Sequence, residues 1–294
     1  MRPITRFAPS PTGPLHLGHA YSAQIAYDRA KAGQGQFLLR IEDIDQSRAR
    51  AHWETQIFED LRWFGLAWDG PVLRQSERLD AYRAALDKLA GFGQLYPCSC
   101  RRADILNAVS APQEGAPRFG PDGLVYPGTC RQRPMADAQP QDTLRLNMAR
   151  AWDYLGNNKL LFKENGPIHD GEHRLAKADM LSEIGDVVLS RRDMGTSYHL
   201  SVVVDDAEQR ITEVTRGDDL FEATPIHVLL QNLLELPTPE YFHHALVRDT
   251  SGRRLAKRDD ARSLASYRAA GFSADDLRSM LAASDNLSIT PART

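Results

Sequence analysis

The sequence holds only three cysteines in 294 residues, an odd number, which argues against a framework of paired disulfides and for a reducing compartment. No stretch approaches the roughly 20 apolar residues that a membrane span needs, and the N-terminus lacks the apolar run of a secretory leader, so a cytoplasmic protein without a membrane partner is expected. Excess charge is missing too. A net charge of −3 with 26% charged residues offers no bulk attraction to polyanions, so any contact with a nucleic acid must come from a local patch. Lysine is scarce, with 6 against 30 arginines, which reads as a habit of composition. What remains is an ordinary globular composition, long enough for a large core divided into two or more units.

The most organised stretch lies near the start, Arg6-Phe7-Ala8-Pro9-Ser10-Pro11-Thr12-Gly13-Pro14-Leu15-His16-Leu17-Gly18-His19. Ile4 to Ala8 reads as the end of a first strand. A turn rich in Pro and Gly follows, then a helical pattern over Leu17–Ala32 in which Leu17, Ala20, Ala23, Ala26, Tyr27 and Ala30 share a face. Strand, tight turn and helix present backbone N–H groups to a phosphate. His16 and His19, at i and i+3, lie on one helical face. They read as a metal pair, as a partly exposed helix start, or as imidazole donors aimed at phosphate oxygens, with Gly18 leaving room for a nucleotide.

Further on, Phe37–Ile41 reads as a buried strand ending in Glu42-Asp43-Ile44-Asp45, where open α/β sheets bind ligands; a solvated turn is the alternative. Helices are expected at His52–Phe64 (Trp53, Ile57, Leu61 and Phe64 inward) and at about Glu77–Gly91 (Leu79, Tyr82, Leu86 and Leu89 inward). After Tyr96-Pro97 the composition shifts. Residues 98–130 hold all three cysteines and 110–128 is rich in Pro and Gly, which reads as an insertion. Asp142–Leu146 and Val187–Arg191 are candidate strands. Tyr198–Asp205 has the look of a buried strand, followed by Ile211–Arg216, a helix over Pro225–Leu236, and two short C-terminal helices.

Cys98-Ser99-Cys100 and Cys130 are either three free thiols or an incomplete tetrahedral metal set. The cationic run Arg253-Arg254-Leu255-Ala256-Lys257-Arg258 is either a solvated face or a loop that neutralises triphosphate charge. Carboxylates are best held by guanidinium forks, and an ammonium by an acid. Arg6 and Arg216 are candidate forks, Glu42 the acid, and Tyr198 and Ser10 neutral hydrogen-bonders. Tyr198 as a core aromatic, and Arg216 paired with Asp218 or Asp219 at the surface, are the rival readings.

Arg6 to Gly13 together with His16-Leu17-Gly18-His19 resembles the signature of class I aminoacyl-tRNA synthetases, closely so for the glutamate branch. Arg253 to Arg258 resembles the second signature loop of that class, in which a lysine contacts ATP. Arg254 stands in place of the usual first Lys and Ala256 where Ser is common, while Lys257 keeps the ATP-contacting position. The Cys-x-Cys and Tyr126-x3-Cys130 pattern resembles the glutamyl-Q tRNA(Asp) synthetases, short relatives of glutamyl-tRNA synthetase.

The resemblance implies an α/β, Rossmann-like doubly wound parallel sheet with an inserted zinc-containing subdomain and a short helical C-terminus. It suggests catalytic halves at 1–95 and 196–260, the insertion at 96–195 and a helical segment at 261–294. It implies glutamate binding by Arg6, Phe7, Ala8, Pro9, Ser10, Glu42, Tyr198 and Arg216, ATP binding by His16, Gly18, His19 and Lys257, and catalysis by His16, His19 and Lys257. One structural Zn²⁺ would be held by Cys98, Cys100, Tyr126 and Cys130; a water, Asp104, Asp122 or an empty site are rivals to Tyr126. Expected reactants are L-glutamate, ATP with Mg²⁺, and queuosine-modified tRNA(Asp), with no obligate protein partner. The large helical anticodon-binding region of glutamyl-tRNA synthetase has no counterpart here, which favours the queuosine acceptor over a tRNA 3′ end. A non-catalytic synthetase-like module and a nucleotidyltransferase acting on another acid are the remaining alternatives.

Overall fold

A computed structural model describes residues 2–109, 119–156, 159–247 and 262–288. Strand β1 (Ile4–Phe7) and β2 (Gln36–Ile41) pair in parallel, joined by helix α1 (Leu17–Ala32). The buried face of α1 consists of Leu17, Ala20, Ala23, Ala26 and Ala30, small side chains that let the helix lie close on the sheet; Tyr27 is half-buried at its edge. Helix α2 (Ala51–Trp63) leads to β3 (Leu73–Arg74), parallel to β2. Helix α3 (Leu79–Gly91) buries Tyr82, Leu86 and Leu89. Leu79, expected inward, is 43% exposed because it opens the first turn, before the helix reaches its packing partners.

Strand β4 (Leu95–Cys98) enters the segment read as an insertion. It contains α4 (Arg102–Val109), the hairpin β5 (Phe119–Gly120) and β6 (Gly123–Leu124), β7 (Thr143–Leu146), α5 (Met148–Leu155), β8 (Leu161–Glu164), β9 (Gly171–Arg174), the short α6 (Lys177–Asp179) and β10 (Val188–Ser190). Strands β4, β7 and β10 form an antiparallel sheet. Strands β8 and β9 instead serve the second half of the chain, β8 lying parallel to β12 with Glu164 opposite Tyr241. The stretch 96–195 is therefore not a single separate layer.

Residues Tyr198–Glu208 form helix α7, not the strand expected for Tyr198–Asp205. Ser197 caps it by accepting from Leu200 N–H. The helix packs against α3 and against α8 (Thr224–Leu234), so Leu200, Val202 and Val203 are all buried and the polar face that would reveal a helical period is missing. Valine costs a helix less than about 0.7 kcal/mol, whereas burying one contributes about 1.5–3 kcal/mol. Packing overrides propensity. Strands β11 (Glu213–Gly217) and β12 (Glu240–His244) are parallel, and β11 lies beside β1, with Thr212 N–H donating to Ile4 C=O at 3.0 Å. Helices α9 (Leu264–Ala269) and α10 (Ala274–Ser288) cover the first half, Leu264, Leu277 and Leu281 joining its core.

Candidate active site

A cleft of about 1000 Å³ opens where β1, β2 and β11 end and α1 and α7 begin. Arg6, Phe7, Ala8, Pro9, Ser10, His16, Gly18, His19, Glu42, Tyr198 and Arg216 all line it. Lys257 and the rest of Arg253–Arg258 lie outside the described residues.

His16 is the N-cap of α1. Its Nδ1 accepts from Gly18 N–H at 3.1 Å, while His19 Nδ1 accepts from His16 N–H at 3.2 Å. Both imidazoles thus carry their proton on Nε2 when neutral. Their rings lie 3.8 Å apart, at the positive end of the α1 dipole. A capping arrangement that orders the helix start also fixes two N–H donors in one tautomer.

Arg6 does not present an open fork. Its Nε and Nη2 donate to the two oxygens of Asp206 at 2.9 and 3.4 Å, and its Nη1 to Thr215 C=O at 3.2 Å. Arg40, wholly buried, donates from Nη1 to the same carboxylate at 2.6 Å and from Nη2 to Glu42 at 3.2 Å. Burial pushes the Asp206 carboxyl up, but Arg6 and Arg40 outweigh it and hold the group below its ordinary range. At Glu42 burial wins over Arg40 and Arg6 and raises the carboxyl; a cationic partner in the cleft would lower it again.

Arg216 is 6% exposed, and among the described residues no carboxylate pairs with it, Asp218 and Asp219 included. Its Nε donates to His243 Nε2 at 2.9 Å, Nη1 to His227 Nδ1 at 3.1 Å, and Nη2 to Leu220 C=O at 3.1 Å and Thr224 Oγ1 at 2.8 Å. Of five guanidinium N–H groups, these contacts use one on Nε, one on Nη1 and both on Nη2. One Nη1–H is left at the cleft. His243 in turn donates from Nδ1 to the buried Glu164 at 2.5 Å. Burial, then the Arg216 charge, hold His227 well below the ordinary imidazole range, so the cation is flanked by neutral rings. Tyr198, at the first turn of α7, stands beside His227 (ring centroids 5.7 Å apart), its phenol pushed up by burial. It packs against the apolar core and also lines the cleft.

Asp206, Arg40, His199, His227, His243 and Glu164 were not singled out from the sequence. The only local signal was an acidic pair, Asp205-Asp206, closing an otherwise apolar run.

At the insertion, the Sγ atoms of Cys98, Cys100 and Cys130 all lie within 4.8 Å of one another. The Tyr126 hydroxyl lies 3.3 Å from Cys98 Sγ and 3.4 Å from Cys100 Sγ, and accepts from Cys130 N–H at 2.9 Å. Zinc–sulfur bonds of about 2.3 Å in a tetrahedron place ligand atoms roughly 3.8 Å apart, so four donors at these spacings fit such an ion. Arg145 lies 3.9 Å over the Tyr126 ring, while burial pushes the phenol up. The rival donors are engaged elsewhere: Asp104 accepts from Arg101 N–H at 2.7 Å, and Asp122 faces His199.

The family model for class I tRNA synthetases (E and Q), catalytic domain, matches residues 4–284. A glutamyl-Q tRNA(Asp) synthetase of Rhodobacter capsulatus is 59% identical over 281 residues, covering 95% of this chain and 99% of that one. One of Thiobacillus denitrificans is 41% identical over 261 residues, covering 89% and 79%. The crystal structure of a glutamate tRNA ligase from Elizabethkingia meningosepticum in complex with its amino acid superposes with a TM-score of 0.75 at 26% identity, over 96% of this chain and 60% of that one. The chain thus spans about 60% of the length of that ligase. No helix among the described residues is long and apolar enough to cross a membrane. By the extent of the family match and the identity of these relatives, the chain belongs to the class I tRNA synthetases of the E and Q group, among the glutamyl-Q tRNA(Asp) synthetases, and is a ligase.

Proposed function

We propose that the chain activates L-glutamate with ATP and passes the glutamyl group to queuosine in the anticodon of tRNA(Asp). The observation that carries this is one cleft lined by an arginine with no carboxylate partner among the described residues, by a carboxyl that burial raises, and by two Nε2–H imidazoles at a helix N-terminus. The substrate side-chain carboxylate takes the remaining Nη1–H of Arg216 and the Tyr198 hydroxyl, and its ammonium pairs with Glu42. Arg6, through Asp206, holds β1 and the pocket wall in place.

The substrate α-carboxylate attacks the α-phosphorus in line. Its oxygen forms the new P–O bond as the bond to pyrophosphate breaks, giving glutamyl-adenylate. His16 and His19 donate to the phosphate oxygens, and Lys257 supplies a further cation, with Mg²⁺ accompanying the triphosphate. No protein nucleophile is required, and positioning and electrostatics carry the rate. Attack by queuosine on the activated carbonyl then releases AMP. Cys98, Cys100, Tyr126 and Cys130 would hold Zn²⁺, which when bound supplies a structural cross-link to a segment with little apolar core.

Incubation with ATP, labelled glutamate and tRNA(Asp), with and without queuosine, tests the reading. Label on the modified RNA alone is expected; label at the 3′ end of tRNA(Glu) overturns it.

A further inference from the structure

Behind Arg216 runs a line of polar contacts, hydrogen bonds at its inner end and a 3.5 Å imidazole–carboxylate contact at its outer end, for which the chemistry above has no use. His227 Nε2 lies 3.1 Å from His199 Nδ1, and His199 Nε2 lies 3.5 Å from Asp122 Oδ1. Arg216 has only N–H groups to offer, so His227 Nδ1 must accept from it. The His227 proton therefore sits on Nε2 and is donated to His199 Nδ1, and the His199 proton sits on Nε2, facing the Asp122 carboxylate. Donor meets acceptor in one direction along the whole line, from guanidinium to carboxylate. His199 is 6% and His227 2% exposed, so bulk water is kept from the contact between the two rings.

The outer end is the informative one. Asp122 belongs to the turn between β5 and β6, four residues before Tyr126 of the cysteine cluster, and Asp122 and His199 both line the cleft. Without an acceptor at position 122, His199 loses one of the two contacts that keep its proton on Nε2. A proton on Nδ1 would face the Nε2–H of His227. Relieving that clash moves the His227 proton to Nδ1, where it opposes the Arg216 N–H. The rim carboxylate at one end and the guanidinium at the other thus favour the same tautomers of two buried rings, and losing the carboxylate loosens the line that orients Arg216.

We infer that Asp122, His199 and His227 are positioning residues that couple the placement of the cysteine-bearing segment to the grip of Arg216 on the substrate carboxylate. This rests on reading the cleft as a glutamate site.

Pyrophosphate exchange with glutamate and ATP, run on the full chain without tRNA, separates the possibilities. Asp122→Ala is expected to raise the KM for glutamate about tenfold, the size of one hydrogen bond to a charged group, with kcat and the KM for ATP within about twofold. Asp122→Asn keeps an acceptor and returns the glutamate KM to within about threefold of the parent. If Asp122 acted on the substrate through its charge alone, the Ala and Asn variants would behave alike, which overturns the inference. His227→Asn keeps an acceptor toward Arg216 but cuts the line, so adding Asp122→Ala to it should have no further effect; equal factors in both backgrounds overturn the coupling. His199→Ala serves the same cycle if His227→Asn does not fold. Absence of any glutamate exchange by the parent chain overturns the glutamate reading itself, a result distinct from an unchanged KM in Asp122→Ala.

Discussion

The cleft and the cysteine cluster are both built from buried polar groups, but they are held in opposite ways. The cleft's charges are neutralised across the whole chain: Arg6 meets Asp206 200 residues away, Arg40 meets it across 166, and both sit against a large apolar core. The cluster is local, with Cys98, Tyr126 and Cys130 buried beside Tyr96 and, among the described residues, Cys100 and Ile105 packed around them. A network that joins the two halves of a sheet is part of folding itself. A cluster with so few apolar neighbours contributes mainly to its own segment, and its loss should stay there.

The comparison is broken most forcefully at its most connected point. Asp206→Ala leaves Arg6 and Arg40 buried without their shared partner, and a loss of about 3–5 kcal/mol in urea unfolding is expected; a loss below about 1 kcal/mol would mean that the network does not tie the halves together. Arg216→Lys removes the geometry that meets His243, His227, Leu220 and Thr224 at once. The KM for glutamate should rise about ten- to a hundredfold, with a much smaller change in unfolding. An unchanged KM in exchange kinetics would remove Arg216 from the pocket.

Cys130→Ala should act locally. Hydrogen exchange over residues 95–109 and 119–146 is expected to quicken and any bound zinc to be lost, while β1, β2 and α1 keep their protection and glutamate exchange retains at least about half its rate. Global unfolding in this variant would erase the contrast.

The smallest expected effect is a pH slope. His227 is neutral in the folded chain, whereas an unfolded imidazole takes a proton near pH 6.5. Its contribution is present above that pH and is lost as pH falls from about 6.5 toward the depressed folded value. The stability of the parent relative to His227→Asn should therefore shrink on acidification, by at most about 1.4 kcal/mol per pH unit. The difference measurement cancels Glu42 and Asp60, whose raised carboxyls act in the other direction. A flat difference between pH 7 and 5 would mean that His227 is already charged.

Local patterning made much of the first half legible. Four residues of β1, the alanine face of α1 and the run of β2 each follow one period, and the Cys-x-Cys and Tyr-x3-Cys spacing marked a cluster whose atoms do converge. Helix α7 was misread because a helix buried on both sides shows no polar stripe, and its three consecutive valines then look like a strand. Arg6 and Arg216 were legible as cleft arginines. What each one holds was not.

The sequence pointed to the class of reaction through resemblance, because a strand, a Pro/Gly turn and two histidines at a helix start match a synthetase signature over fourteen residues of continuous chain. It also determined which thiols meet. Tertiary structure alone decided that Arg6 is spent on Asp206, that Arg216 keeps one N–H beside neutral rings, and that His227 and His199 lead from it to Asp122. Those outcomes depend on partners tens to hundreds of residues apart and on which nitrogen carries a proton. Both are set only when the folded chain removes water and leaves each buried donor a single acceptor.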